Sequence, residues 1–299
     1  MRYGVLHVNS SGAESTSPTM RIAKFVAEQT NAPLIHDPGS ANFFKDTRFD
    51  VLFVKYGMLK FSNHREEALR IHERAYRVVN MENDYTFVPD KRFRKADETW
   101  STVEKRTRYV NWNVLTRWPP ELWSVPWPMQ EPTRPGVLYY GAHREGRQKY
   151  FKLYFGQPSL YPVTISTYRG RKAFEATCGN GLTFVGPMSD PAAPADWLMT
   201  IYAEDEASHS LYCSPANRFY ECVQCGLAQA IDAKAVNTLL RAGVKNADKF
   251  AVCDQSDVLR LMLDWRKVRD AQRRLWHRDY MQELKSQFWN AVRASFGGE

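Results

Sequence analysis

Ser214-Pro215-Ala216-Asn217-Arg218-Phe219-Tyr220-Glu221-Cys222-Val223-Gln224-Cys225-Gly226, followed closely by Ala228-Gln229-Ala230-Ile231-Asp232, is the stretch on which the fold is read. Pro215 and Asn217 mark a turn, and Asn217 is an N-cap candidate because its side-chain oxygen can accept from N–H groups that a helix start leaves unpaired. The apolar run from Phe219 to Leu227 predicts a helix over Arg218 to Cys225, between a short strand at Ser210 to Cys213 and another at Ala228 to Asp232. Strand, turn, helix, strand is the repeating unit of a parallel sheet, whose ligands bind beyond the carboxyl ends of the strands. Glu221, near the helix start, is placed to face such a crevice. A carboxylate suits a pair of ribose hydroxyls because it offers two acceptor oxygens and no proton. The plainer reading is a glutamate that only complements the helix dipole.

Outward from this stretch the second half repeats the pattern. Strands are expected at Gly136–Gly141, Val163–Tyr168, Leu182–Val185 and Phe250–Cys253, and helices at Arg147–Phe155 and Trp197–Glu206. In Tyr139-Tyr140-Gly141-Ala142-His143-Arg144-Glu145-Gly146-Arg147-Gln148-Lys149 a strand ends and a helix begins. A helix N-terminus attracts anions, and Arg144, Arg147 and Lys149 add positive charge there, so a diphosphate fits; a solvated basic turn is the alternative. Thr183-Phe184-Val185-Gly186-Pro187-Met188 exposes backbone groups at another strand end.

The first half has the same grammar. Strands are expected at Tyr3–Asn9, Pro33–Ile35, Val51–Tyr56 and Tyr76–Met81, with helices at Pro18–Thr30 and His64–Arg77. Asn80-Met81-Glu82-Asn83-Asp84-Tyr85 closes one strand, and Ser10-Ser11-Gly12-Ala13 follows another. Six prolines between Pro119 and Pro135, with Trp118, Trp123 and Trp127 alongside, read as a semi-rigid linker. Domains are therefore expected at 1–130 and 131–265, with a C-terminal helix over 266–299 packing back on the first domain. Trp276, Tyr280, Leu284, Phe288 and Val292 recur every four residues along it, while Arg266, Lys267, Arg269, Arg273, Arg274 and Arg278 make the other face basic.

The composition of the 299 residues, 43% hydrophobic and 25% charged, is that of a globular chain with apolar mass for two cores. No run of about 18 apolar residues predicts a membrane span, and Met1 to Leu6 reads as a strand rather than a signal peptide. The five cysteines are odd in number, which disfavours a disulfide framework and fits a reducing cytoplasm, that of the host cell if the chain is viral. Cys222-x-x-Cys225 lacks two further ligands at zinc spacing and is read as buried helix cysteines. The net charge of +8 permits a polyanionic partner without demanding one.

Asn-Arg-Phe-Tyr-Glu-Cys-Val-Gln-Cys-Gly (217–226) followed by Ala-Gln-Ala-Ile-Asp (228–232) resembles the nucleotide-sugar-site helix of GT-B glycosyltransferases. The resemblance implies an α/β fold of two facing Rossmann-like domains with a long C-terminal helix. It gives Glu221 the nucleotide ribose, places Arg218 near the phosphates with Asn217, and sets Val185, Gly186 and Pro187 at the base. Gly141, Arg144, Arg147 and Lys149 complete the nucleotide-sugar site. The family's retaining members often carry a second glutamate eight residues upstream, where this chain has Cys213, so a retaining outcome is not carried over. The first domain would bind the acceptor, with Asp84 or Glu82 as the carboxylate base that deprotonates its hydroxyl. Stabilisation of the leaving diphosphate by basic residues and a helix end implies no metal and no cofactor beyond a UDP-sugar.

Tyr-Tyr-Gly-x-x-Arg-x-Gly-Arg (139–147) and Asn-Asp-Tyr (83–85) are also similar to motifs of bacteriophage glycosyltransferases that decorate hydroxymethylated pyrimidines, such as 5-hydroxymethylcytosine, in DNA. That resemblance implies a monomer acting on double-stranded DNA, away from membranes. Lys91, Arg92, Arg94, Lys95, Lys105, Arg106 and Arg108 share one segment with three acids, and Trp100, Tyr109, Trp112 and Trp118 are interleaved or close. Cations neutralise phosphates and aromatic rings stack on bases. Ser11, Gly12, Asn83, Tyr85, Arg92, Arg94, Lys95, Arg106 and Arg108 are the acceptor candidates. The alternatives are an insertion whose tryptophans pack on the core, a transferase for a cell-envelope or other small acceptor, and a non-catalytic nucleic-acid-binding protein.

Overall fold

Val51-Leu52-Phe53-Val54 is buried at all four positions, as an interior strand of a parallel sheet must be when helices cover both faces. The structure is a computed structural model that describes residues 1–7, 18–55, 65–82, 91–102, 108–116, 118, 131–167, 170–205 and 215–296. The chain divides into two units, Met1–Thr116 with Gln287–Glu299, and Arg117–Ser286. Among the described residues no helix is long and apolar enough to cross a membrane.

The first unit is built on six parallel strands: β1 (Tyr3–Leu6), β2 (Leu34–Ile35), β3 (Val51–Val54), β4 (Arg77–Glu82), β5 (Glu98–Ser101) and β6 (Arg108–Tyr109), in the order β2-β1-β3-β4-β5-β6. Helix α1 (Pro18–Thr30) buries Met20, Ile22, Ala23, Phe25, Val26 and Ala27 along one side. Helix α2 (Pro38–Phe44) starts in a capping box, where Asp37 Oδ1 accepts from the Ser40 amide at 2.9 Å and Ser40 Oγ accepts from the Asp37 amide at 3.1 Å. With helix α3 (Arg65–Glu73), α2 closes a core of Leu6, Ile35, Ala41, Phe49, Leu52, Val54, Ile71, Val78 and Phe93. Gly4 in β1 is required there, because a Cβ would come within 2.7 Å of the Phe49 ring.

The second unit also has six parallel strands: β7 (Arg134–Tyr140), β8 (Val163–Ser166), β9 (Thr183–Val185), β10 (Trp197–Tyr202), β11 (Ala228–Asp232) and β12 (Ala251–Val252), in the order β12-β11-β10-β7-β8-β9. Helices α4 (Gln148–Phe155), α5 (Arg171–Cys178), α6 (Asn217–Cys225), α7 (Val236–Arg241), α8 (Gln255–Leu263) and α9 (Trp265–Gln272) cover it. Trp197–Glu206, expected to be helical, contains β10 instead. Its Trp-Leu-Met-Thr-Ile-Tyr lies between β7 and β11 with five of six side chains buried, so two-sided burial erases any periodicity. The strand expected at Ser210–Cys213 lies outside the described residues.

Leu138, Ala195, Trp197, Cys222, Cys225 and Leu227 form one of the second unit's apolar clusters, with Trp118 against it. Cys222 and Cys225 are thus buried thiols of α6, as the sequence suggests. Of the C-terminal apolar stripe, Trp276, Tyr280, Leu284 and Phe288 are buried. After α9 the chain runs through a π-helical segment, Arg273–Tyr280, into helix α10 (Met281–Phe296). Trp276, fully buried in the second unit, packs on Phe219 and Phe250 and donates to the Lys245 carbonyl at 2.9 Å. Phe288 belongs to the first unit and packs there on Phe25 and Trp112, with ring centroids 5.4 and 6.3 Å away.

Candidate functional site

The strand order of the second unit fixes where a ligand can enter. From β7 the chain turns to β8 and β9 on one side, then crosses back to place β10 on the other. The connections leaving the carboxyl ends of β7 and β10 therefore run apart and open a crevice between them. Tyr140 and Gly141 end β7; Ala203, Glu204 and Asp205 follow β10. The described chain resumes at Pro215, and α6 starts beside the same strand ends: Tyr140 Oη donates to the Arg218 carbonyl at 3.3 Å and to Glu221 Oε2 at 3.4 Å.

Two buried arginines meet over one carboxylate here. Arg218 Nη2 donates to Glu204 Oε1 at 2.9 Å and to the Ala203 carbonyl at 3.1 Å, and its guanidinium stands 4.7 Å over the Tyr139 ring. Arg147 pairs with Glu204 Oε2 through Nη2, donates to Tyr139 Oη at 3.4 Å, and lies 3.6 Å from Asp205. Arg147, Arg218, Glu204 and Glu221 are 8%, 9%, 3% and 7% exposed. Burial works against both cations, but Glu204 and Tyr139 hold their pKa values above the ordinary arginine range. Burial also raises Tyr140 and Tyr202, with the Cys222 and Cys225 thiols and Glu221 adding to the effect at Tyr140, so both stay neutral hydroxyls; Tyr202 Oη accepts from the Ala216 amide at 3.0 Å.

The other residues picked from the sequence fall at graded distances from this centre. Gly141 sits against it with φ of +145°, where a Cβ would lie 3.6 Å from Arg218 Nη1. Arg144 and Lys149 are exposed; Lys149 Nζ lies 5.1 Å over the Tyr150 ring, and of the three basic groups in this turn Arg147 is the one that reaches Glu204. Val185 ends β9, the Gly186 carbonyl accepts from Ser166 Oγ at 2.9 Å, and Pro187 is exposed. Asn217 is not the N-cap but the first helical residue. Ala216 occupies the cap position and supplies no side-chain acceptor, so α6 begins with no such cap on its N–H groups. Glu204 and Asp205 were hidden from sequence reading by the helix expected across Trp197–Glu206. A strand assignment would have shown two acids at a strand's carboxyl end.

In the first unit Glu82 ends β4 and is buried. Ser11, Gly12, Asn83, Asp84, Tyr85 and Arg106 lie outside the described residues. The buried His7, a weaker candidate for the base in the sequence, and the buried Lys55 stand at the carboxyl ends of β1 and β3, next to each other in register. Burial, then the nearby Lys55 and His36 charges, lower the His7 pKa to about 4, so it is neutral at pH 7. The basic segment is divided. Arg92 pairs with Glu66 at 2.7 Å, and Lys95 is exposed. Arg94 donates to the carbonyls of Ala75 and Tyr76 at 3.0 and 3.1 Å, by the amino end of β4 and away from the strands' carboxyl ends. Arg108 lies 5.1 Å over the Trp100 ring. Trp100 and Trp112 are core residues, 3% and 1% exposed, and Trp112 Nε1 donates to the Trp100 carbonyl at 3.0 Å. The expectation that these two rings stack on bases is therefore corrected to core packing.

Two Rossmann-like units, the second in the 3-2-1-4-5-6 strand order with buried arginines and acids at its switch point, define the GT-B fold of glycosyltransferases. Among solved structures the chain is similar to the β-glucosyltransferase of T4 phage, described as a DNA-modifying enzyme with the substrate uridine diphosphoglucose. The match has a TM-score of 0.72 at 11% identity and covers 99% of this chain and 98% of that one. A structure of the T4 phage enzyme with UDP and Mn2+ matches at TM-score 0.70 and 13% identity, over 98% and 99% of the two chains. AviGT4, a glycosyltransferase involved in avilamycin A biosynthesis, matches at TM-score 0.50 and 9% identity, over 100% of this chain and 99% of that one. No protein-family model matches the sequence, and no curated protein does. At these identities the resemblance establishes the fold.

Proposed function

We propose that the chain is a glycosyltransferase that moves a sugar from a UDP-sugar to the hydroxyl of a 5-hydroxymethylpyrimidine in double-stranded DNA. The observation that carries the reading is the switch-point crevice of the second unit, where Arg147 and Arg218 meet beside Glu221 and the start of α6. Glu221 accepts from the ribose hydroxyls. Arg218, Arg147 and the α6 N–H groups stabilise the charge that develops on the diphosphate. A carboxylate, Asp84 or Glu82, takes the proton of the acceptor hydroxyl. The freed oxygen then bonds to the anomeric carbon, and the electron pair of the breaking sugar–phosphate bond leaves with UDP. Similarity to a DNA-modifying enzyme over nearly the whole chain supports the nucleic-acid acceptor. Burial of Trp100 and Trp112 removes two stacking platforms and keeps a smaller hydroxyl acceptor as the second reading.

Among the described residues no cluster of three or more histidines, cysteines or acids is set to hold a metal ion, and Glu204 and Asp205 are ion-paired with arginine. The proposed reaction assigns stabilisation of the diphosphate to the arginines. The test is transfer of label from a panel of radiolabelled nucleotide sugars to hydroxymethylated DNA, unmodified DNA and small saccharides. Label in modified DNA alone supports the proposal. Label in saccharides alone moves the chain to the second reading, and none with any nucleotide sugar refutes both.

A further inference from the structure

We infer that Glu204 is a positioning residue for the nucleotide diphosphate: its carboxylate fixes Arg147 and Arg218 as one two-pronged grip. The inference rests on the UDP-sugar reading above. Arg147 comes from the turn after β7 and Arg218 from the first turn of α6, two segments far apart in the sequence. Two guanidiniums buried together repel, and the anionic group they share is Glu204, with a side chain only 4% exposed. Arg218 takes one carboxylate oxygen, at 2.9 Å, and Arg147 takes the other. A carboxylate held by both oxygens sets the angle between the two planar guanidinium forks.

The arrangement leaves acceptors wanting. The buried Nε–H groups of Arg147 and Arg218 have no hydrogen-bond partner among the described residues; Arg147 Nε stands 3.6 Å from Asp205, beyond hydrogen-bond reach. Unmade buried donors are rare and call for an acceptor. A ligand bearing several anionic oxygens, as a diphosphate does, supplies it.

Charge alone predicts the opposite behaviour, which makes the inference testable. Glu204 and Asp205 already balance the two arginines. Glu204→Gln adds one net positive charge, so if the arginines act only through their field, UDP binds more tightly. If Glu204 acts by holding their geometry, UDP binds more weakly, because the glutamine amide turns a donor toward one guanidinium and releases it.

Calorimetric titration of the wild-type chain, Glu204→Gln and Glu204→Asp with UDP and with uridine separates the cases. We expect Glu204→Gln to weaken UDP about tenfold and leave uridine within about twofold, since uridine lacks the diphosphate. Glu204→Asp keeps the charge on a shorter arm and should weaken UDP selectively as well, which preserves the test should the glutamine variant fold poorly. Unchanged or tighter UDP binding by the variants overturns the inference, as does equal loss of UDP and uridine, which signals general loosening of the unit. Wild-type protein that binds neither UDP nor uridine refutes the UDP-sugar reading itself and the inference with it.

Discussion

Glu221→Ala tests the proposed nucleotide site most directly. Glu221 is 7% exposed, and its Oε2 is 3.4 Å from the Tyr140 hydroxyl. In the proposed complex its carboxylate accepts from the 2′ and 3′ hydroxyls of the ribose. A hydrogen bond to a charged group contributes about 1.5–3 kcal/mol, so removing the acceptor of two such bonds should weaken UDP by about 3–6 kcal/mol, roughly 10²- to 10⁴-fold. That loss alone is ambiguous, because a cavity could produce it. Deoxyuridine diphosphate resolves the ambiguity. Lacking the 2′ hydroxyl, it should bind the wild-type chain about 10- to 100-fold more weakly than UDP, one charged hydrogen bond's worth. In Glu221→Ala the two nucleotides should bind with nearly equal affinity. Tyr140 keeps its contacts with the Arg218 carbonyl and Cys222 Sγ, at 3.3 and 3.4 Å, so the crevice wall survives the substitution. Calorimetry on the four protein–ligand pairs gives the ratio. Preference for UDP that persists undiminished in the alanine variant would refute the ribose role.

Other perturbations test neighbouring parts of the reasoning. Gly141→Ala forces a side chain into φ of +145° beside Arg218; about 1–3 kcal/mol of backbone strain should lower UDP affinity while circular dichroism stays native, and unchanged affinity would count against a close role for this turn. His7 and His72 are both held near pKa 4, against an ordinary 6.5, chiefly by burial. The unfolded chain therefore binds more protons between those values, and stability present above pH 6.5 is lost as pH falls toward 4, by about 3 kcal/mol for each histidine. His72→Phe should flatten the pH dependence of urea unfolding across that window, and an unaltered slope would show that His72 is not its source. Transfer to the acceptor should continue in excess EDTA if arginines and the α6 terminus carry the diphosphate charge; abolition by EDTA and recovery with Mn2+ would contradict that assignment.

Elements with one strong local signal were legible in the sequence. The α1 boundaries and β11 follow it residue for residue, because Pro18 opens an amphipathic run and Ala228–Asp232 follows directly on a helix. Short elements were not. Helices Pro38–Phe44, Arg171–Cys178 and Val236–Arg241 span two turns or so, too few for a period to emerge, and depend on caps and tertiary packing. The site was half legible. Arg147, Arg218 and Glu221 carry chemistry that can be read at strand and helix ends. Glu204 gains its meaning only when β10 lies beside β7 and brings distant arginines to the same carboxylate, and no spacing in the chain encodes that. Trp100 and Trp112 went the other way: interleaved with arginines they look like a nucleic-acid surface, yet their rings fill a core.

The aromatic contacts of Phe288 bear on how the protein is made. Phe25 and Trp112 emerge from the ribosome well before their partner ring, which lies far along the chain. During translation the first unit holds its sheet and helices but lacks a wall of its core, and the aromatic face around Phe25 stays uncovered until Gln287–Glu299 is made. A growing chain in this state is a natural client for chaperones that recognise exposed aromatic surface. A stop codon before Gln287 would leave the second unit's residues complete and make that transient state permanent in the first.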